Sequence, residues 1–110
     1  MEMKPPAHIR KLMKELKEGF TRIYGDRLKD VYLYGSYARG DYRAGSDVDV
    51  MILLSQYENY WDELRRSTEF ASDMSLKYDL TVSRLIVKEG EWSMSKTPLL
   101  RNIHREGVPA

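Results

Sequence analysis

"YGSYARGDYRAGSDVDVMILL", residues 34–54, sets two aspartates at the head of a run that otherwise reads as a buried strand. Val48 to Leu54 is apolar enough to sit centrally in a sheet. Residues two apart in a strand point to the same face, so Asp47 and Asp49 project together while Val48, Val50, Ile52 and Leu54 line the other side. With a rise of about 3.3 Å per residue their Cβ atoms lie roughly 6.6 Å apart. At an effective dielectric near 20, two unit charges at that distance repel by roughly 2–3 kcal/mol. Aspartate is also a poor strand former. A divalent cation between the carboxylates removes both penalties, and hard ions such as Mg²⁺ favour oxygen sites that stay open to substrate phosphates. Without a cation, the same pattern describes an edge strand with one face in solvent.

Two neighbouring features favour the cation. Upstream, Val31 to Tyr34 form a short β-branched and aromatic strand that ends at Gly35-Ser36. Glycine lets a backbone approach a phosphate closely, and the free amides of a helix start attract anions. A short helix beginning at Ser36 would supply those amides, and the Ser36 hydroxyl adds a further donor. Downstream, Asp79 opens a third strand, Leu80 to Val87, from which its carboxylate could join the pair if the strands are adjacent. Three acids on one sheet face would form a two-metal site. Arg39 is a cation in the polar loop between turn and strand, where a solvent-facing arginine is equally in place.

The remaining elements surround this centre. After Pro5-Pro6, Ile9, Leu12, Met13, Leu16, Phe20, Ile23 and Tyr24 recur at helical spacing, and Gly25 ends the helix. A helical pattern runs from Tyr57 to Tyr78, with Trp61, Leu64, Ala71 and Met74 on one face. Lys88 to Glu91 reads as a turn. Thr97-Pro98 reads as an N-cap and first-turn proline of a last helix through about Arg105. The order predicts an α/β (α+β) fold: a small mixed sheet of three or four strands packed with helices.

Composition narrows the function classes. The 110 residues form one domain, residues 1–110, with 42% hydrophobic and 32% charged residues. A net charge of +1 gives none of the basic excess expected of a protein that binds long nucleic acid. The absence of cysteine excludes disulfides and thiolate zinc sites. No run approaches the roughly 18 apolar residues of a membrane span. The expectation is a soluble, cytoplasmic domain without membrane association. His8 and His104 are lone residues on predicted helices, Arg84 is a rim cation, and Tyr37, Tyr42, Tyr57 and Tyr60 are aromatics available for docking.

With a strand, Gly35-Ser36, ten residues and then Asp47-Val48-Asp49, the chain resembles the nucleotidyltransferase superfamily of DNA polymerase β. It is most similar to the minimal branch, the MNT domains. The likeness is densest over "YGSYARGDYRAGSDVDVMI" and extends in element order across nearly the whole chain. The resemblance implies the polymerase β-like fold and a two-Mg²⁺ mechanism with ATP as substrate. Asp47, Asp49 and Asp79 would be the catalytic metal ligands, Gly35 and Ser36 would grip the β- and γ-phosphates, and Arg39 would attend the triphosphate. It further implies an antitoxin that transfers AMP to a tyrosine of a HEPN ribonuclease toxin, the two chains forming a hetero-oligomer. Two alternatives stay open at this stage. One is a non-catalytic antitoxin that neutralises its partner by occlusion, and the other is a nucleotidyltransferase acting on a small-molecule hydroxyl.

Overall fold

A computed structural model describes residues 5–110. Helix α1 (Ala7–Tyr24) starts after Pro6, where a missing N–H costs little. Its predicted stripe is buried at Ile9, Leu12, Met13, Leu16, Phe20 and Tyr24. Full burial of one such side chain is worth about 1.5–3 kcal/mol, so this face alone anchors the helix to the sheet. Gly25 ends it at φ 60°, donating its N–H to the Thr21 carbonyl. Gly19 lies on the packed side, where any Cβ would overlap the Phe70 ring.

A 3₁₀ turn (Gly25–Arg27) leads to β1 (Leu28–Tyr34), then α2 (Ser36–Arg39) and β2 (Val48–Leu54). Helices α3 (Tyr60–Arg66) and α4 (Thr68–Tyr78) cross over to β3 (Val82–Lys88). Helices α5 (Glu89–Met94) and α6 (Pro98–Glu106) and the two-residue β4 (Val108–Pro109) follow. The sheet order is β3-β2-β1-β4. Strand β1 runs antiparallel to β2 and β4, and β2 runs parallel to β3. The predicted mixed sheet packed with helices is the observed architecture.

Both sheet faces carry a core. Helices α1 and α4 cover Val31, Leu33, Val48, Val50, Ile52, Leu54, Val82 and Ile86. On the opposite face, Leu100 and Ile103 of α6 cover Met51, Leu53 and Val87. Strand β2 is therefore enclosed on both sides from Val50 onward. Its second face opens only at the upper end, where Asp49 stands. No helix among the described residues is long and apolar enough to cross a membrane.

Several local expectations need correction. The single helix predicted over Tyr57 to Tyr78 breaks at Ser67. The Tyr24 hydroxyl donates to the Glu63 carbonyl, and the Arg84 guanidinium donates to the Leu64 carbonyl. Both carbonyls are thereby engaged by side chains just where a continuous helix would use them for its own ladder. Arg84 is thus a structural anchor behind the sheet, not a rim cation. Trp61, expected on the packed face, is 64% exposed. Residues 88–91, read as a turn, open α5, with the Glu91 carboxylate accepting from the Lys88 N–H. Tyr37 is buried and unavailable for docking, and Tyr42 stacks on it at 4.4 Å. His104 is exposed as expected, yet its ring stacks on Trp92 at 3.5 Å.

Candidate active site

The site forms where β1 ends and β2 begins. In the antiparallel register Tyr34 pairs with Asp49, so the chain leaves β1 immediately beside that carboxylate. Gly35 makes the exit at φ 76°, a conformation L side chains rarely adopt. A Cβ on Gly35 would overlap Asp49 Oδ2. Glycine is therefore required twice, for the turn and for the close approach. The N–H groups of Ala38 and Arg39 turn back onto the Gly35 carbonyl at 3.1 and 3.0 Å, forming the single turn α2. The first amides of a helix have no intrahelical acceptor, and here that end of α2 adjoins the carboxylates. Gly40 closes the turn in the left-handed region at φ 92°. The loop then returns through a tight turn in which the Arg43 N–H donates to Ser46 Oγ at 2.8 Å. Asp47 follows, immediately ahead of β2.

Asp49 is half-buried while Asp47 is exposed. Burial, and secondly the Asp47 charge, push the Asp49 carboxyl above its ordinary value, while Arg39 pulls it the other way. Tyr34 is pushed up to about 12 by burial first, then by the Asp49 charge. The two carboxylates repel one another, and a cation between them would relieve it. Both groups offer oxygen donors only, the chemistry that a hard divalent ion prefers.

The third strand does not bring Asp79 into β3. That residue caps α4 in the left-handed conformation, exposed, three positions before β3 begins. Ser83 pairs with Asp49 in the parallel register, and its hydroxyl reaches Asp47 Oδ2 at 3.4 Å. Among the described residues no group of three or more His, Cys, Asp or Glu could together hold a metal ion. The carboxylate pair itself still suits a cation whose other positions face a ligand.

Arg39 is half-exposed, with Nε 3.2 Å from Asp41 Oδ2 and Nη1 3.4 Å from Glu106 Oε2. The second contact ties α2 to the end of α6. Together Tyr34, Gly35, Ser36, Arg39 and Asp49 line a cleft of about 360 Å³, whose far wall is Leu99, Asn102, Ile103 and Glu106. This volume lies within the range of small-molecule sites. A larger groove of about 780 Å³ runs between α1 and β4, away from both aspartates. Size alone does not mark the chemistry. The α6 wall was absent from the sequence-derived site. Its only signal was the spacing of positions 99, 102, 103 and 106 along one helical face.

Residues 9–105 match the family described as nucleotidyltransferase domain. A chain of Methanocaldococcus jannaschii named "Putative protein adenylyltransferase" is 39% identical over 100 residues, 91% of this chain and 96% of that one. A crystal structure of a toxin–antitoxin with AMP-PNP superimposes with a TM-score of 0.58 at 21% identity, covering 92% of this chain and 68% of that one. A Shewanella oneidensis complex of a tri-AMPylated HEPN toxin with its MNT antitoxin gives a TM-score of 0.54 at 15% identity, covering 91% and 69%.

Proposed function

The chain belongs to the nucleotidyltransferase domain family and is a nucleotidyltransferase, and on that premise we propose that it moves AMP from ATP onto a tyrosine hydroxyl of a HEPN-domain partner. The observation that carries this reading is the Tyr34–Asp49 register, which sets a glycine turn and a helix start against a carboxylate pair. Support for the protein acceptor comes from the adenylyltransferase name of the relative at 39% identity. Support for a HEPN partner comes from the fold shared with the antitoxin of the AMPylated complex.

Asp47 and Asp49 would hold Mg²⁺, which when bound neutralises phosphate charge and lowers the pKa of an attacking hydroxyl. The chain's own contribution is positioning. Gly35 and Ser36 present the open end of α2 to the terminal phosphates, and Arg39, at the same turn, brings a guanidinium charge toward the phosphate oxygens. The acceptor oxygen forms a bond to the α-phosphorus while the bond from that phosphorus to the bridging oxygen breaks. Pyrophosphate leaves with that electron pair, and the hydroxyl proton is released at the open mouth of the cleft. Leu100 and Ile103 of α6 pack on Met51 and Leu53 beneath the site, which gives the cleft a buried apolar floor.

The test is incubation of the chain with α-labelled ATP, Mg²⁺ and a HEPN-domain partner, followed by peptide mapping of the label. Label on a partner tyrosine is expected, and its loss with Asp47→Asn/Asp49→Asn. Absence of transfer from any nucleotide, with toxin neutralisation intact in that double variant, would leave docking alone as the function.

A further inference from the structure

We infer that the exposed face of α6 is the nucleobase subsite of the cleft, built for adenine by Asn102 and Leu99. This rests on the nucleotidyltransferase reading above. The Arg39–Glu106 pair at 3.4 Å fixes the C-terminal end of α6 against the phosphate-binding turn. Positions 99, 102, 103 and 106 share one helical face. With a rise of 1.5 Å per residue, Asn102 lies about 6 Å and Leu99 about 10 Å from Glu106 along the axis. A nucleotide held by its terminal phosphates at Gly35 and Ser36 spans its remaining phosphate and ribose before the base begins. Its base therefore arrives against Leu99 and Asn102, since all four residues line the same cleft.

The chemistry of these side chains fits. Leu100 and Ile103 face the core, but Leu99 is 44% exposed among the described residues. It offers an apolar surface on which a flat base can lie. The Asn102 amide is a paired donor and acceptor, and its Oδ1 accepts from Arg105 one turn further along. That bond sets which way the amide points and leaves Nδ2 and a second Oδ1 lone pair for a ligand. Adenine offers an acceptor beside the N6 donor, the pattern an asparagine amide completes, whereas guanine offers two acceptors on the corresponding edge. Asp41 and Glu106 are engaged with Arg39, so they do not compete for the base.

The test is direct binding of non-hydrolysable ATP and GTP analogues with Mg²⁺ by calorimetry, alongside transfer to the partner from ATP and GTP. Wild type should bind the ATP analogue about tenfold or more tightly than the GTP analogue, a good bidentate contact being worth that much. Asn102→Ala should abolish the preference and raise KM for ATP with kcat nearly unchanged, as loss of uniform binding does. Leu99→Ala should weaken both analogues alike. An Asn102→Ala chain that keeps its ATP preference overturns the subsite, even if transfer proceeds normally. A preference lost with Asn102 in a chain that transfers nothing upholds the subsite and overturns the transferase reading.

Discussion

Ser83 on β3 pairs with Asp49 on β2 in parallel register and turns its hydroxyl toward Asp47 at 3.4 Å. The β3 position beside the carboxylate pair thus carries a neutral side chain. Any third carboxylate added there would complete an acidic triad, so Ser83→Asp should raise Mn²⁺ affinity of the nucleotide-free chain by about tenfold, the scale of such ligand-shell effects. Asp79→Asn, at the exposed cap of α4, should leave that affinity and the transfer rate close to wild type. Electron paramagnetic resonance titration of Mn²⁺ reads the affinities, and the labelled-ATP assay reads the transfer rate. A loss of Mn²⁺ binding in Asp79→Asn would place Asp79 in the metal set.

Gly35→Ala should remove activity and stability together. The backbone at φ 76°, ψ −154° lies in a region that essentially only glycine enters and costs an L residue about 1–3 kcal/mol, and the new Cβ meets Asp49 Oδ2. Gly45→Ala is the control. It has the same strained sign of φ, at 85°, but nothing lies within 4 Å. It should cost about 1 kcal/mol in urea melts while transfer stays close to wild type.

Asp49→Asn should stabilise the chain slightly without Mg²⁺, because it removes a half-buried charge held next to Asp47. Transfer should fall by about 10²–10³-fold, as when one electrostatic contact to a transition state is lost. Mg²⁺ with ATP at a hundred times Kd should stabilise wild type by about 2.7 kcal/mol and the variant hardly at all. EDTA should reverse the wild-type shift. Thermal melts in parallel with the transfer assay check each of these outcomes.

Stability should fall in acid through Glu63. Its carboxylate is buried at 5% exposure and accepts from Arg27 at 2.7 Å and from Arg66 at 3.2 Å. The Arg27 bond, above all, holds its carboxyl below the ordinary value of 4.5. A depressed folded value means that the contribution is complete above pH 4.5 and is lost as pH falls through the lower folded value. Arg27→Ala should cost about 1.5–3 kcal/mol at pH 7, the worth of a hydrogen bond to a charged group. It should also flatten the acid limb of the stability curve. Urea unfolding between pH 3 and 7 measures both effects.

Local signals were enough for much of this molecule. The α1 stripe, the Gly25 stop, the Gly35-Ser36 turn and the two-residue spacing of Asp47 and Asp49 are written within a few residues of where they act. Periodicity and turn chemistry are properties of the chain's own backbone. The break at Ser67 was not legible, because it depends on Tyr24 and Arg84, which are distant in sequence. Residues 88–91 misled for a related reason: Gly90 and the neighbouring charges suggest a turn, yet Glu91 reaches back to cap α5.

The glycine turn, the carboxylate pair and the helix faces that bury the sheet follow from local sequence alone. What stands beside them follows from the assembled fold: Ser83 next to the aspartates, Asp79 outside β3, and α6 as the far wall. Which β3 residue meets Asp49 depends on the parallel register, set by how the α3–α4 crossover packs. Which helix closes the cleft depends on Leu100 and Ile103 burying against the far half of β2. Those are non-local energies, and no window of sequence contains them.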